Sequence, residues 1–239
     1  MTTARATRNV LVAVCVSVTA GGCSIFGGGS NESTTPDMST ATTNSATSVS
    51  RSITPSEANS LIVPTKDVGQ LVGSTLDFER KSSNPGASSI DGKESCRALV
   101  APLTIDIGDT WTTYRNVWYQ ESEDTFTHAV NQRVLLYPTQ DQAASAFAKE
   151  FPPDIRACSG EVLKSDDTPW RQTVREVTPG RVQWAEEQIL DSKPSGWRCI
   201  NEARVVDNLL FAATVCQRGN GAPAVKAIID RMAETAKPK

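Results

Sequence analysis

The chain has 239 residues, a formal charge of −3, 38% hydrophobic residues and six cysteines. That is enough chain for one sizeable globular core. Charges of both signs are interspersed and no basic stripe occurs, which excludes a nucleic-acid partner. One histidine and, past Cys15 in the N-terminal apolar run, no thiol outside the disulfide and lipidation candidates leave little for metal or nucleophilic chemistry.

In chain order, Met1–Arg8 carries Arg5 and Arg8 without an acid, and Asn9–Ala20 is an almost uncharged apolar run that includes Val10, Leu11, Val12, Val14, Val16 and Val18. A basic start, a run of about a dozen residues and a small-residue exit read as an export signal. The run is too short for a permanent span, which needs roughly 20 residues. It ends in Ala20-Gly21-Gly22-Cys23, which resembles the lipobox of bacterial lipoproteins, with Ala20 where Leu or Val is usual. Cys23 is therefore the expected lipidation site. Ser24–Arg51 is rich in Ser, Thr and Gly and has almost no large apolar side chain after Phe26, so it reads as a tether, with a coil reach on the order of 30 Å. Loss of the signal removes Arg5 and Arg8 and takes the formal charge from −3 to about −5. The expected organisation is a signal peptide over 1–22, a lipidated cysteine and tether over 23–52, and one domain over 53–239.

Thr54-Pro55-Ser56-Glu57 has the pattern of a capping box and predicts a short helix to Ile62, followed by a second over Asp67–Val72 that stops at Gly73. Asp77–Glu94 reads as loop, with a helical turn over Cys96–Val100. Strands are expected at Asn116–Glu121 and Phe126–Tyr137. Thr139, with Gln142 in the capping-box position, opens a helix that Pro152-Pro153 ends. Further strands fall at Arg171–Glu176 and Arg181–Ile189, and a hairpin pairs Trp197–Val206 with Leu209–Gln217 around Asp207-Asn208. A last helix runs from Pro223 to Thr235 with Val225, Ile228, Ile229 and Met232 on one face. The fold class is α+β: a mainly antiparallel sheet with helices packed on one side.

Four cysteines remain in the domain, an even set in an exported chain, and two disulfides follow. A hairpin centred on Asp207-Asn208 sets Cys199 opposite Cys216 as a non-hydrogen-bonded pair, close enough for a bridge. Cys96 and Cys158 are left for each other.

Trp118-Tyr119, Tyr137-Pro138-Thr139 with Ala143-Ala144 and Phe147, Ala157-Cys158, Thr178-Pro179-Gly180 before Trp184, Trp197-Arg198-Cys199, and Cys216 ahead of the last helix form an ordered set. Over about Ile53–Ala236 this set resembles the PknH-like extracellular domain of mycobacteria and related actinobacteria. That family takes its name from the sensor portion of a receptor Ser/Thr kinase and also occurs alone on lipoproteins. The resemblance implies disulfides between consecutive cysteines and an open cleft for a ligand. The chain itself carries no kinase motif.

No Gly-x-Ser-x-Gly elbow and no His-Glu-x-x-His occurs, and His128 is a lone strand histidine, so no catalytic residue, metal site or cofactor is expected. The acid pairs Asp166-Asp167 and Glu186-Glu187 read as solvated surface, because neighbours on a strand point to opposite sides. The tryptophans at 111, 118, 170, 184 and 197 are core by default. A cleft would expose one or two, so Trp118, Arg133 and Trp184 are the candidate ligand contacts, with Gln132 and Gln183 as further polar groups. The expected function is that of a lipid-anchored protein on the extracytoplasmic face of the cell membrane. Its sensor-like domain binds a small molecule, lipid or glycan. The alternative is an interaction module that docks an envelope protein.

Overall fold

A computed structural model describes residues 52–86 and 88–237. The signal peptide, Cys23 and the tether to Arg51 lie outside the described residues. The described residues fall within one compact unit.

The described strands are β1 (Phe78–Ser82), β2 (Ile90–Asp91), β3 (Thr113–Gln120), β4 (His128–Leu136), β5 (Val162–Ser165), β6 (Thr168–Thr178), β7 (Arg181–Leu190), β8 (Lys193–Val206) and β9 (Leu209–Arg218). They form a single sheet in the order β1-β3-β4-β9-β8-β7-β6-β5-β2. Every neighbouring pair is antiparallel. The helices are α1 (Thr65–Val72), α2 (Gln140–Glu150) and α3 (Ala222–Ala236), with 3-10 segments at Ala58–Leu61, Glu94–Leu99 and Pro153–Cys158.

The strand period of two sorts the central residues into two faces. On one face Val130, Val134, Phe211, Ala213 and Val215 form a core with Val225, Ile228, Ile229 and Met232 of α3 and Val68 of α1. This is the expected one-sided helical layer. On the other face α2 and the 3-10 segments at 94–99 and 153–158 occupy one end of the sheet. There Leu99, Phe147, Phe151 and Ile155 close over Leu135, Trp184, Leu210 and Ala212. The rest of that second face has no helix on it, and the cleft described below opens there.

Local chemistry sets the boundaries. Gly73 takes the left-handed φ of 75° that ends α1. Thr139 Oγ accepts from Gln142 N at 3.2 Å and opens α2. Glu57 reaches back to Thr54 N at 2.9 Å as a capping box requires, but the segment it starts is one turn of 3-10 helix over Ala58–Leu61 because Pro64 follows. Asp77–Glu94 departs from the loop reading: β1 and β2 lie in it and form the two edges of the sheet. β5 also was not expected. Asp166 and Asp167 both adopt positive φ, 46° and 66°, and make the tight turn that joins it to β6.

Both disulfides join consecutive cysteines. Cys199 lies opposite Cys216 in the β8–β9 register with Cα atoms 3.9 Å apart, the close spacing of a non-hydrogen-bonded pair. Cys96–Cys158 ties the first of the two 3-10 segments on the second face to the other.

Candidate functional site

A cavity of about 490 Å³ lies on the uncovered part of the second face. A row of polar side chains crosses the sheet there, and of these Asn116, Asn131, Thr214 and Glu186 line the cavity floor. Asn131 Nδ2 donates to Asn116 Oδ1 at 2.6 Å, Thr214 Oγ1 to Asn201 Oδ1 at 2.6 Å, and Asn201 Nδ2 to Glu186 Oε1 at 2.9 Å. The strand register puts Asn131 beside Thr214, Thr214 beside Asn201, and Glu186 beside Gln172. Asn131, Gln172, Glu186, Asn201 and Thr214 are all buried.

Such a row is expensive. A buried polar atom without a partner costs about 1–3 kcal/mol, and Asn131 Oδ1, Arg133 Nε and Gln172 Oε1 have none in the protein. Arg133 stands on the floor of the cavity next to this row. Burial pulls its pKa down, while Tyr114 acts against that by charge and hydrogen bonding and Glu186 and Glu150 by charge alone. Burial pushes the Glu186 carboxyl up to about 8, against the hydrogen bonds from Asn201 and Gln172 and the charge of Arg133.

The walls are of two kinds. Trp118, Trp170 and Trp197 pack against the Cys199–Cys216 bridge and Ala129. Phe126, exposed in the turn before β4, meets Trp197 edge-to-face with centroids 5.8 Å apart. The Trp118 indole N–H is tied to Gln120 Oε1, which fixes the ring. Opposite them, Ala101, Pro102 and Thr104 contribute a wall from the segment after the first disulfide-linked turn. Glu150 holds that segment by accepting from Leu103 N at 2.7 Å and Asp106 N at 2.8 Å. Burial raises the Glu150 carboxyl to about 7 in spite of these two backbone donors. Arg80 and Asp166 stand at the rim.

Of the sequence candidates, Trp118 and Arg133 line the cavity. Trp184 does not: it is wholly buried beneath the α2 layer, its indole N–H donating to Leu99 O at 2.6 Å. Gln132 and Gln183 face the opposite side. Gln132 bonds both backbone groups of Val63, and Gln183 donates to the buried Glu202. The surface reading of Glu186 is corrected. Glu187 points away and pairs with Arg198 at 2.9 Å, as strand geometry dictates, but the side of Glu186 is the interior. Asn131, Asn201 and Thr214 were not singled out by sequence either. His128 pairs with Glu121 at 2.7 Å near the end of the sheet. Among the described residues no group of three or more His, Cys, Asp or Glu side chains comes together as a metal site, and no helix is long and apolar enough to cross a membrane.

An antiparallel sheet with one helical face, one half-covered face and two consecutive disulfides is the frame in which this cleft sits. Residues 53–235 match the family model of the PknH-like extracellular domain. The chain belongs to that family. The crystal structure of the extracellular domain of PknH from Mycobacterium tuberculosis matches with a TM-score of 0.64 at 18% identity, over 78% of this chain and 97% of that one. At that identity the likeness shows the shared fold. An uncharacterised protein from Mycobacterium smegmatis matches with a TM-score of 0.40 at 10% identity, over 73% of this chain and 97% of that one. No curated protein matches.

Proposed function

We propose that this PknH-like extracellular domain is a sensor-like binding module of an extracytoplasmic lipoprotein, anchored to the membrane through Cys23, and that it takes a small ligand in the cleft without turning it over. The observation that carries this reading is the floor of the cavity. A row of buried amides, a hydroxyl and a carboxyl beside a guanidinium costs folding free energy with no structural return, and three of its polar atoms lack a partner. Its size lies within the range of small-molecule sites, about 300–1,000 Å³. The two disulfides support the same reading. One pins the turn that leads into the Ala101–Thr104 wall, the other the base of the aromatic wall, and a site fixed in advance loses less entropy when it is filled.

Native mass spectrometry of the full chain purified from its own membranes tests this. The expected result is a reproducible small-molecule adduct that Trp118→Ala reduces, with a loss of affinity on the order of 10-fold or more for a principal aromatic contact. A chain that always runs at its bare mass, or only with a protein partner, rejects the reading in favour of a docking module.

A further inference from the structure

We propose that the ligand is an acidic sugar, a pyranose ring bearing a carboxylate or phosphate, with the charged group on Arg133 and the ring against the aromatic wall of Trp118, Trp170 and Trp197. The inference rests on the reading of the cleft as a ligand site and adds the chemistry of what enters it.

Three features select the class. The first is the guanidinium. Arg133 stands on the cavity floor with its Nε unpartnered; Tyr114 meets the guanidinium by charge and hydrogen bonding, while Glu186 and Glu150 act on it by charge without a hydrogen bond. Burial raises the Glu186 carboxyl to about 8, which weakens its share in compensating the guanidinium at neutral pH. A carboxylate or phosphate meets the planar donor fork with charge-assisted hydrogen bonds, which a neutral ligand cannot supply. The second is the row of Asn116, Asn131, Asn201 and Thr214. An acyl chain laid on it would remove water from these groups and return no hydrogen bond. Hydroxyls spaced around a ring pair with amides and hydroxyls spaced along a sheet, and the unpaired Asn131 Oδ1 on the lining offers an acceptor for one of them. The third is the wall. Indoles and Phe126 give a flat apolar surface to the C–H face of a sugar. An aromatic cluster can also hold a cation, but here Arg133 on the floor and Arg80 at the rim stand against Asp166 and the Glu186 carboxyl that burial pushes up, and the balance favours an anion.

Calorimetric titration of the full chain with glucuronate and with glucose 1-phosphate tests the class and separates the two anions. Glucose, acetate, inorganic phosphate and adenosine monophosphate are the controls. At least one acidic sugar is expected to bind 10-fold or more tightly than glucose, and more tightly than any ring-less anion. Arg133→Gln should remove that advantage over glucose, Arg133→Lys should keep part of it, and Trp197→Ala should weaken acidic and neutral sugars alike. The thermal midpoint of each variant shows that it is folded. Equal affinity for glucose and glucuronate, undiminished binding by a folded Arg133→Gln, or preference for adenosine monophosphate overturns the proposal. If no acidic sugar binds while native mass spectrometry still finds a small adduct, the class is wrong and the binding reading survives. If the adduct is also absent, both fall.

Discussion

Glu186 is held in a place where its charge is unwelcome, and the consequence is measurable. Its carboxyl has a pKa of about 8 in the folded chain against 4.5 for an ordinary Glu, because burial outweighs the hydrogen bonds from Asn201 and Gln172 and the charge of Arg133. The folded state therefore keeps a proton that the unfolded chain releases. By linkage this contribution to stability is fully present below about 4.5 and is lost as pH rises through about 8. Glu150, raised to about 7 by burial, acts in the same direction. Glu121 and Asp230 are shifted down, so their contributions change only in more acid solution and leave this window clear. The urea midpoint should fall between pH 5 and pH 8.5, and Glu186→Gln should make that fall shallower, with the variant more stable than the parent at pH 8.5. A variant that loses equal stability at both pH values would show that the carboxyl is ionised and paired throughout.

At the scale of elements, the β3–β4 turn carries Phe126 to the cleft, and Glu121 holds that turn together. Its carboxylate accepts from Thr127 N at 3.1 Å, His128 N at 3.0 Å, Thr127 Oγ1 at 2.8 Å and Ser74 Oγ at 2.8 Å. Burial alone would raise its pKa, but these donors and His128 outweigh it and bring it to about 2. Its stabilisation is thus present above about 4.5 and is lost as pH falls towards 2. Glu121→Gln should cost about 1.5–3 kcal/mol at neutral pH, the range for hydrogen bonds to a charged group. Chemical denaturation checks this, and an unchanged midpoint would show the turn to be held by other contacts. The same strands show what was legible in sequence. The β8–β9 hairpin announced itself through a two-residue turn between apolar runs, and it carried the disulfide register with it. α2 and α3 were marked by a cap and by the spacing of Val225, Ile228, Ile229 and Met232. β1, Phe-Glu-Arg-Lys-Ser, was hidden because an edge strand needs no apolar alternation, only a free row of backbone groups to pair with β3. In the cleft, Trp118 and Arg133 stood out by residue type. Asn131, Asn201, Thr214 and Glu186 did not, because a polar residue at every second position of a strand looks the same whether that side meets water or a ligand. In β4 one side carries Val130 and Val134 with buried Gln132 between them, while the other passes from Asn131 and Arg133 to buried Leu135, so its alternation of apolar and polar residues is imperfect.

For the whole molecule, the route by which the chain reaches the domain bears on how an anchored protein could work. Ile53 N donates to Asn208 Oδ1 at 2.9 Å, and Asn208 Nδ2 donates back to Ile53 O at 3.2 Å, so the domain's first strongly held residue sits at the β8–β9 turn. The Cys199–Cys216 bridge at the base of the cleft lies seven rungs along the same hairpin, roughly 20 Å away at the rise of a strand. Attachment and recognition are therefore assigned to separate places in the domain, and removal of one should spare the other. On the reading of Cys23 as the lipidated residue, Cys23→Ser should move the protein from the membrane fraction to the soluble fraction, because acyl chains supply about 0.8 kcal/mol for each buried methylene and no helix among the described residues is long and apolar enough to cross a membrane. The released protein should keep both disulfides and carry the same small adduct as the anchored form. Fractionation followed by native mass spectrometry reads both outcomes in one preparation. Retention of Cys23→Ser in the membrane to the parent's extent would remove the lipid anchor from the account. Release with loss of the adduct would instead mean that the membrane takes part in forming the site.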